Sequence, residues 1–218
     1  MKLAVICAGG PVEELANLDS WRKLENVVFI GADKGSLYLL QNGIIPDAAV
    51  GDFDSMSADE FEELSNRVNL INVAPAEKNE TDTDLALSLA VNYSPQQVIV
   101  TGVTGGRLDH FMAVLNSVYR FQMDNPHIKF FIRNKWNEMS LLSPGYTTLE
   151  NQPEYPFVSF FAFQGQVEQL TLAGMKYNVD KETIEMGNSR FTSNEVLDEQ
   201  GSIFFEAGIC LLIRSSDQ

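Results

Sequence analysis

The sequence predicts an N-terminal three-layer α/β/α domain with a largely parallel sheet, followed by a C-terminal antiparallel β-sandwich, with the boundary between residues 133 and 134. Two observations carry this. Up to residue 133, short apolar β-rich runs alternate with stretches of helical periodicity, as in parallel strands joined by crossover helices. Beyond it the helical periodicity fades, and β-rich runs are separated by Ser143-Pro144-Gly145, Gln164-Gly165 and Ala207-Gly208, turn signals between antiparallel strands.

Strand-like runs in the first domain cover residues 3–7, 27–30, 48–50, 70–73, 98–101 and 128–132. Between them, residues 36–42 read as helical, and Ser57 with Glu60 forms a capping box ahead of Phe61 and Leu64. Thr81 with Asp84 forms another, opening a helix from Asp82 to about Asn92. Leu108, Phe111, Leu115 and Val118 recur at helical spacing. In the second domain the strand-like runs are 138–142, 157–163, 167–172, 202–206 and 209–213. Internal repeats and low-complexity tracts are absent.

The loops after the first domain's strands hold the chemistry. Gly51-Asp52-Phe53-Asp54-Ser55 sets two carboxylates one residue apart where a strand ends. An open α/β sheet binds ligands outside the carboxyl ends of its strands, so such carboxylates can hold a hard cation against a phosphate, although the same residues also make ordinary turns. Thr101 to His110 runs Thr-Gly-Val-Thr-Gly-Gly-Arg-Leu-Asp-His, between a strand and a helix. Bare backbone N–H groups and a helix N-terminus there suit an anion, and Arg107 adds a planar donor fork for phosphate; alternatively the glycines make a tight turn and Arg107 pairs with Asp109.

Glu77 to Leu85 is acidic, and the capping box accounts for Asp82 and Asp84 without a ligand, while Lys78 just before it could balance phosphate charge. Ala32-Asp33-Lys34-Gly35 follows another strand, and Asp33 there also suits a helix cap. Parallel strands would open all these loops, with Asp33, Asp52, Asp54, Asp82 and Asp109, on one edge of the sheet.

In this order, Ala32-Asp33-Lys34-Gly35, Gly51-Asp52-Phe53-Asp54-Ser55, Lys78-Asn79-Glu80-Thr81-Asp82, the segment Gly102 to His110 and Thr192-Ser193-Asn194-Glu195 resemble the thiamine pyrophosphokinase (thiamine diphosphokinase) family over nearly the whole chain. The chain departs from the family pattern at Asn79, where aspartate is usual, and at Lys34, where glycine is frequent. The resemblance implies Mg²⁺-dependent transfer of a diphosphoryl group from ATP to the hydroxyl of thiamine, giving thiamine diphosphate and AMP. It implies Asp52, Asp54 and Asp82 as metal ligands, with Arg107 and Asp109 completing the catalytic set. Asp33, Lys78, Thr104, Gly105, Gly106 and Arg107 would serve ATP. Ser193 and Asn194 would serve thiamine, in a pocket near a homodimer interface where Trp136 or Tyr177 could stack on a ring. His110, next to Asp109 on the helix, reads as a structural histidine more readily than as a base.

Composition fits that class. A chain of 218 residues with 44% apolar content can bury one or two cores, and no stretch approaches the ~20 apolar residues of a membrane span. Met-Lys followed directly by Leu-Ala-Val-Ile is not a signal peptide, so the expected location is the cytoplasm. A net charge of −15 disfavours a nucleic-acid partner and makes a divalent cation useful to a protein that handles ATP. Cys7 and Cys210 lie inside apolar runs and read as small buried hydrophobes. Two other classes share the Asp-x-Asp pattern or the binding groups: a metal-dependent glycosyl- or nucleotidyltransferase, and a thiamine or nucleotide sensor without turnover.

Overall fold

Leu3–Cys7 (β1) is apolar and buried at every position, the mark of a strand covered on both faces. Around it lie β2 (Val27–Ala32), β3 (Ala48–Gly51), β4 (Ile71–Val73), β5 (Gln97–Thr101) and β6 (Lys129–Arg133), in the order β4-β3-β2-β1-β5-β6. All five pairings are parallel, with Val5 opposite both Phe29 and Ile99. The order runs outward from β1 in one direction through β4 and in the other through β6. The crevice between the ends of β1 and β5 is therefore the switch point at which such sheets bind ligands. The computed structural model describes residues 2–73 and 80–217, and the chain divides into two units, Met1–Lys135 and Trp136–Gln218.

Helices of the first unit are α1 (Asp19–Arg22), α2 (Gly35–Gln41), α3 (Ala58–Arg67), α4 (Asp82–Asn92) and α5 (Leu108–Asp124). Leu3, Val5 and Cys7 face Trp21 of α1 and Leu39 of α2 in one core, whereas Ala4 and Ile6 are buried on the other face, and α4 lies against β1, β2 and β3. Both predicted capping boxes are formed, Ser57 with Glu60 and Thr81 with Asp84. The buried stripe of α5 begins a turn later than its periodicity suggests: Val114, Leu115 and Val118 are buried but Leu108 is exposed.

The second unit is antiparallel, as expected. Its strands are β7 (Asn137–Leu142), β8 (Gly145–Glu150), β9 (Phe157–Ala173), β10 (Val179–Ile184), β11 (Asn194–Glu195), β12 (Gln200–Phe205) and β13 (Ala207–Ser215). The sequence divides β9 at Gln164-Gly165; the structure keeps one strand of 17 residues that bends there. Its first part pairs with β13 and β11 and its last part with β10 and β12, so one strand serves two sheets. Phe160 and Leu212 from one sheet meet Leu172 and Phe205 from the other in a single core. The strands that sequence patterning omits include β8 and β10, both at the edge of their sheet. Edge strands carry polar and charged residues to avoid further pairing, which leaves Val-Asp-Lys-Glu-Thr-Ile without a legible apolar run.

Candidate active site

The loops after β1, β2, β3 and β5 and the start of α4 line one cavity of about 640 Å³ at the carboxyl edge of the parallel sheet. Asp33, Asp52 and Asp82, from three of those segments, converge on it.

Asp33 organises the acidic side. It sits in the left-handed region at φ 49°, and its carboxyl oxygen accepts the Phe53 N–H at 3.1 Å, binding the β2 loop to the β3 loop. The first residue before α2 is instead Lys34, with no side-chain cap, so Asp33 does not cap the helix. Gly51, at φ 150°, makes this possible: a Cβ there would lie 2.3 Å from the Asp33 carboxyl oxygen. Asp52 follows and turns its own oxygen to the Asp54 N–H at 3.1 Å.

One carboxyl oxygen each of Asp33, Asp52 and Asp82 lies within 4.8 Å of the other two, and all three residues are half-buried. At that separation two unit charges repel by roughly 3 kcal/mol at an effective dielectric of about 20, so a proton or a cation must relieve full ionisation of the three. Burial pushes the Asp33 carboxyl up to about 6, and the charges of Asp82 and then Asp52 add to it against the Phe53 hydrogen bond. Hard oxygen donors in this arrangement fit Mg²⁺ or a similar divalent cation. Asp54 stands outside the triad, exposed, its carboxyl raised by the neighbouring charge of Asp52. Asp84 belongs to the scaffold. Burial alone would raise its carboxyl, but hydrogen bonds from Ser117 and Thr81 and the charge of Arg120 hold it below the ordinary range.

On the opposite wall, the β1 and β5 loops are tied together by Gly10 N–H to Gly102 C=O at 2.8 Å. Gly102 has φ 74°, and a Cβ on it would meet the Ala8 carbonyl at 2.2 Å, so no other residue fits. Thr104, Gly106 and Arg107 line the cavity, while Gly105 turns away onto Glu14. The Thr104 hydroxyl accepts a hydrogen bond from Asn134 at 2.8 Å. Arg107 makes a two-pronged pair with Asp109, at 3.1 and 2.6 Å, which holds the Asp109 carboxyl down to about 2. Both side chains are exposed, and an exposed pair is readily exchanged for another anion. His110 is exposed and lines the cavity, so it is not the structural histidine that its helix position suggests.

Ser193 and Asn194 lie in the second unit. Ser193, at φ 54°, is exposed and donates its N–H to Ser159 Oγ at 3.0 Å. Asn194 is buried: its Oδ1 accepts the N–H of Tyr177 and of Glu195, both at 2.9 Å, and its Nδ2 donates to the Tyr177 carbonyl at 2.8 Å. The amide thus clasps the backbone of Tyr177, whose ring is exposed. Lys78 and Asn79 lie outside the described residues.

Sequence reasoning misses Gly9, Gly10 and Pro11, which line the cavity; a Gly-Gly-Pro turn directly after an apolar strand was the available signal. It also misses Asn134, for which a single polar residue after β6 gives no signal at all.

Carboxylates and a glycine turn line one cavity at the switch point of a parallel sheet, the place where α/β enzymes of this architecture bind their ligands. Two family models match the chain: Thiamin pyrophosphokinase, catalytic domain, over residues 21–130, and Thiamin pyrophosphokinase, vitamin B1 binding domain, over residues 147–210. The thiamine pyrophosphokinase of Bacillus subtilis is 36% identical over 217 residues, covering 100% of both chains. The crystal structure of a Bacillus subtilis thiamine pyrophosphokinase superposes with a TM-score of 0.93 at 35% identity over 100% of both chains. That of the Geobacillus thermodenitrificans enzyme gives 0.88 at 34% identity, covering 100% of this chain and 99% of that one. The chain belongs to the thiamine pyrophosphokinase family, as its ordered motifs suggest, and is an enzyme of that kind. Among the described residues no helix is long and apolar enough to cross a membrane.

Proposed function

We propose that the chain transfers a diphosphoryl group from ATP to the hydroxyl of thiamine, producing thiamine diphosphate and AMP in a Mg²⁺-dependent reaction. The observation that carries this reading is the triad of Asp33, Asp52 and Asp82 facing the glycine turn and Arg107 across one cavity. Asp33, Asp52 and Asp82 would hold the cation, with Asp54 on the loop that carries Asp52. When bound, Mg²⁺ neutralises polyphosphate charge and polarises phosphoryl oxygens.

Phosphoryl-group transfer depends mainly on positioning and charge, and the chain's own groups supply both. The thiamine hydroxyl forms a bond to the β-phosphorus, the bond from that phosphorus to the oxygen bridging the α-phosphate breaks, and AMP departs with that oxygen. The alcohol proton passes to an aspartate of the site. Arg107 exchanges Asp109 for phosphate oxygens, and Asp109 holds the free guanidinium in place before ATP binds. Thr104, with the backbone of Gly106, cradles the same phosphates, Gly105 shaping the turn that presents them, and Lys34 and Lys78 add positive charge.

We assign ATP binding and catalysis to the first unit and thiamine binding to the second, through Ser193 and the Tyr177 segment held by Asn194. The enzyme works as a homodimer in the cytoplasm, with the thiamine pocket close to the dimer interface. Incubation with ATP, Mg²⁺ and thiamine should yield AMP and thiamine diphosphate, with activity lost to chelator and restored by Mg²⁺. ADP with thiamine monophosphate as the products would overturn the diphosphoryl transfer.

A further inference from the structure

Thr104 ends in a hydroxyl whose hydrogen-bond direction is set from outside the cavity. Asn134, 4% exposed and just beyond β6, places Nδ2 at 3.1 Å from Glu14 Oε2 and 2.8 Å from Thr104 Oγ1. A carboxylate accepts hydrogen bonds and has none to give, so the amide atom facing Glu14 is the nitrogen, and chemistry fixes the orientation of the amide. The same NH₂ group then donates to Thr104 and occupies a lone pair of its oxygen. The hydroxyl hydrogen of Thr104 is left to the cavity, which Thr104 lines beside Gly106 and Arg107.

Phosphate oxygens only accept, so a hydroxyl near them helps when it donates and repels when its lone pairs face them. Glu14 secures both parts of this device. It orients the Asn134 amide, and its Cγ fills the space where a side chain on Gly105 would stand, at 2.5 Å from that position.

We propose that Asn134 is a positioning residue that fixes Thr104 as a hydrogen-bond donor to a phosphate oxygen of the nucleotide, an inference that rests on the assignment of ATP to this cavity. Asn134 acts through Thr104 and touches no substrate. It orders the site by hydrogen-bond polarity, which shape alone would not provide.

Calorimetric titration of the intact protein with MgATP, alongside Michaelis constants for both substrates, tests this. T104V and N134A are each expected to weaken MgATP about tenfold, the usual consequence of losing a hydrogen bond to a charged group, with the thiamine constant changed less than twofold. T104S should recover most of the affinity. N134D, which accepts the Thr104 hydrogen and so takes it from the ligand, should be weaker than N134A. The T104V/N134A double variant should bind no worse than T104V, because two changes in one relay are not additive. Magnesium tripolyphosphate as a competitor should give the same ranking.

Wild-type affinity in T104V, additive losses in the double variant, or losses seen with ATP but not with tripolyphosphate would each overturn the inference. If N134A does not fold, the T104V and T104S pair decides. A wild-type protein that does not bind MgATP would refute the ATP assignment, and the inference with it, before any variant is compared.

Discussion

The acidic edge of the first unit and the Ser193-Asn194 corner of the second treat their polar groups in opposite ways. At the acidic edge, Asp33, Asp52 and Asp82 are brought together with like charge, and the Asp33 carboxyl is pushed up to about 6 by burial and by its neighbours. At the other corner, the Asn194 amide satisfies three backbone groups and has nearly all of its hydrogen-bonding capacity committed. The first cluster gathers like charge at the wall of a cavity, whereas the second commits its amide to backbone groups. A conspicuous polar residue can thus line a cavity or hold the backbone of a neighbouring segment, as Asn194 holds that of Tyr177.

The largest effect should come from removing charge at the triad. Asp52→Asn and Asp82→Asn are expected to lower turnover at least about a hundredfold, since ~2.7 kcal/mol or more of transition-state stabilisation is withdrawn, while the fold survives. Asp54→Asn, outside the triad, should cost about tenfold. Steady-state rates across a Mg²⁺ titration check this ordering. Equal losses for all three variants would show that Asp54 joins the cation when ligands bind, and near-normal rates for all three would remove the contrast between the two regions.

Arg107→Lys keeps the charge and loses the fork, so ATP-dependent turnover should fall about tenfold with the thiamine constant nearly unchanged. The melting temperature should not move, because the Arg107–Asp109 pair is exposed. Wild-type kinetics would leave Arg107 a helix-start residue and nothing more.

The Ser-Asn corner should respond in the opposite sense. Asn194→Ala strands the backbone N–H and C=O of Tyr177 and should cost about 1–3 kcal/mol of stability together with a raised thiamine constant. Ser193→Ala, exposed, should raise the thiamine constant with no change in melting. Kinetics paired with thermal melts distinguish the two. A stable Asn194→Ala protein with an intact thiamine constant would contradict the clasp, and a fully active monomer by light scattering would contradict the dimeric pocket.

Much of the first unit was legible because its cues are local. Both capping boxes lie within four residues, and β1 can be read from an unbroken apolar run. The shared edge of the acidic loops also followed from strand alternation alone, since parallel strands all end on one side. What stayed hidden depends on distant partners. Nothing near Asp33 announces that its carboxyl binds a loop 20 residues on, or that Asn134 reaches Thr104 across 30 residues. Nothing in Ser193-Asn194 announces that the amide belongs to Tyr177. The sandwich was read less well because polar edge strands and a bent β9 blur the alternation on which strand reading relies.

The smallest effect concerns pH, and its sign separates a ligand-seeking carboxylate from a scaffold carboxylate. Asp33 has a native pKa raised to about 6, so the folded state holds its proton more tightly than the unfolded chain, where the value is about 3.9. Metal-free protein should therefore lose stability as pH rises from about 4 through 6, by a shift of about 2–4 °C in melting temperature, because solvent screens the half-exposed carboxyl and reduces the effect to about 1 kcal/mol. Asp84 behaves inversely. Its native pKa lies below the ordinary range, so its contribution is present above the unfolded value and disappears as pH falls below about 4. Melting curves in chelator between pH 3 and 7 should show both windows. Asp33→Asn, which keeps an oxygen for the Phe53 N–H, should shrink the upper window and leave the lower one, and Asp84→Asn should shrink the lower window and leave the upper one, the remainders coming from Asp54, also raised, and Asp109, also lowered. Saturating Mg²⁺ should also flatten the upper window in the wild type, because a bound cation favours the ionised triad. An upper window undiminished in Asp33→Asn would mean that Asp33 does not carry the raised pKa, and one undiminished in Mg²⁺ would mean that the triad is not where the cation binds.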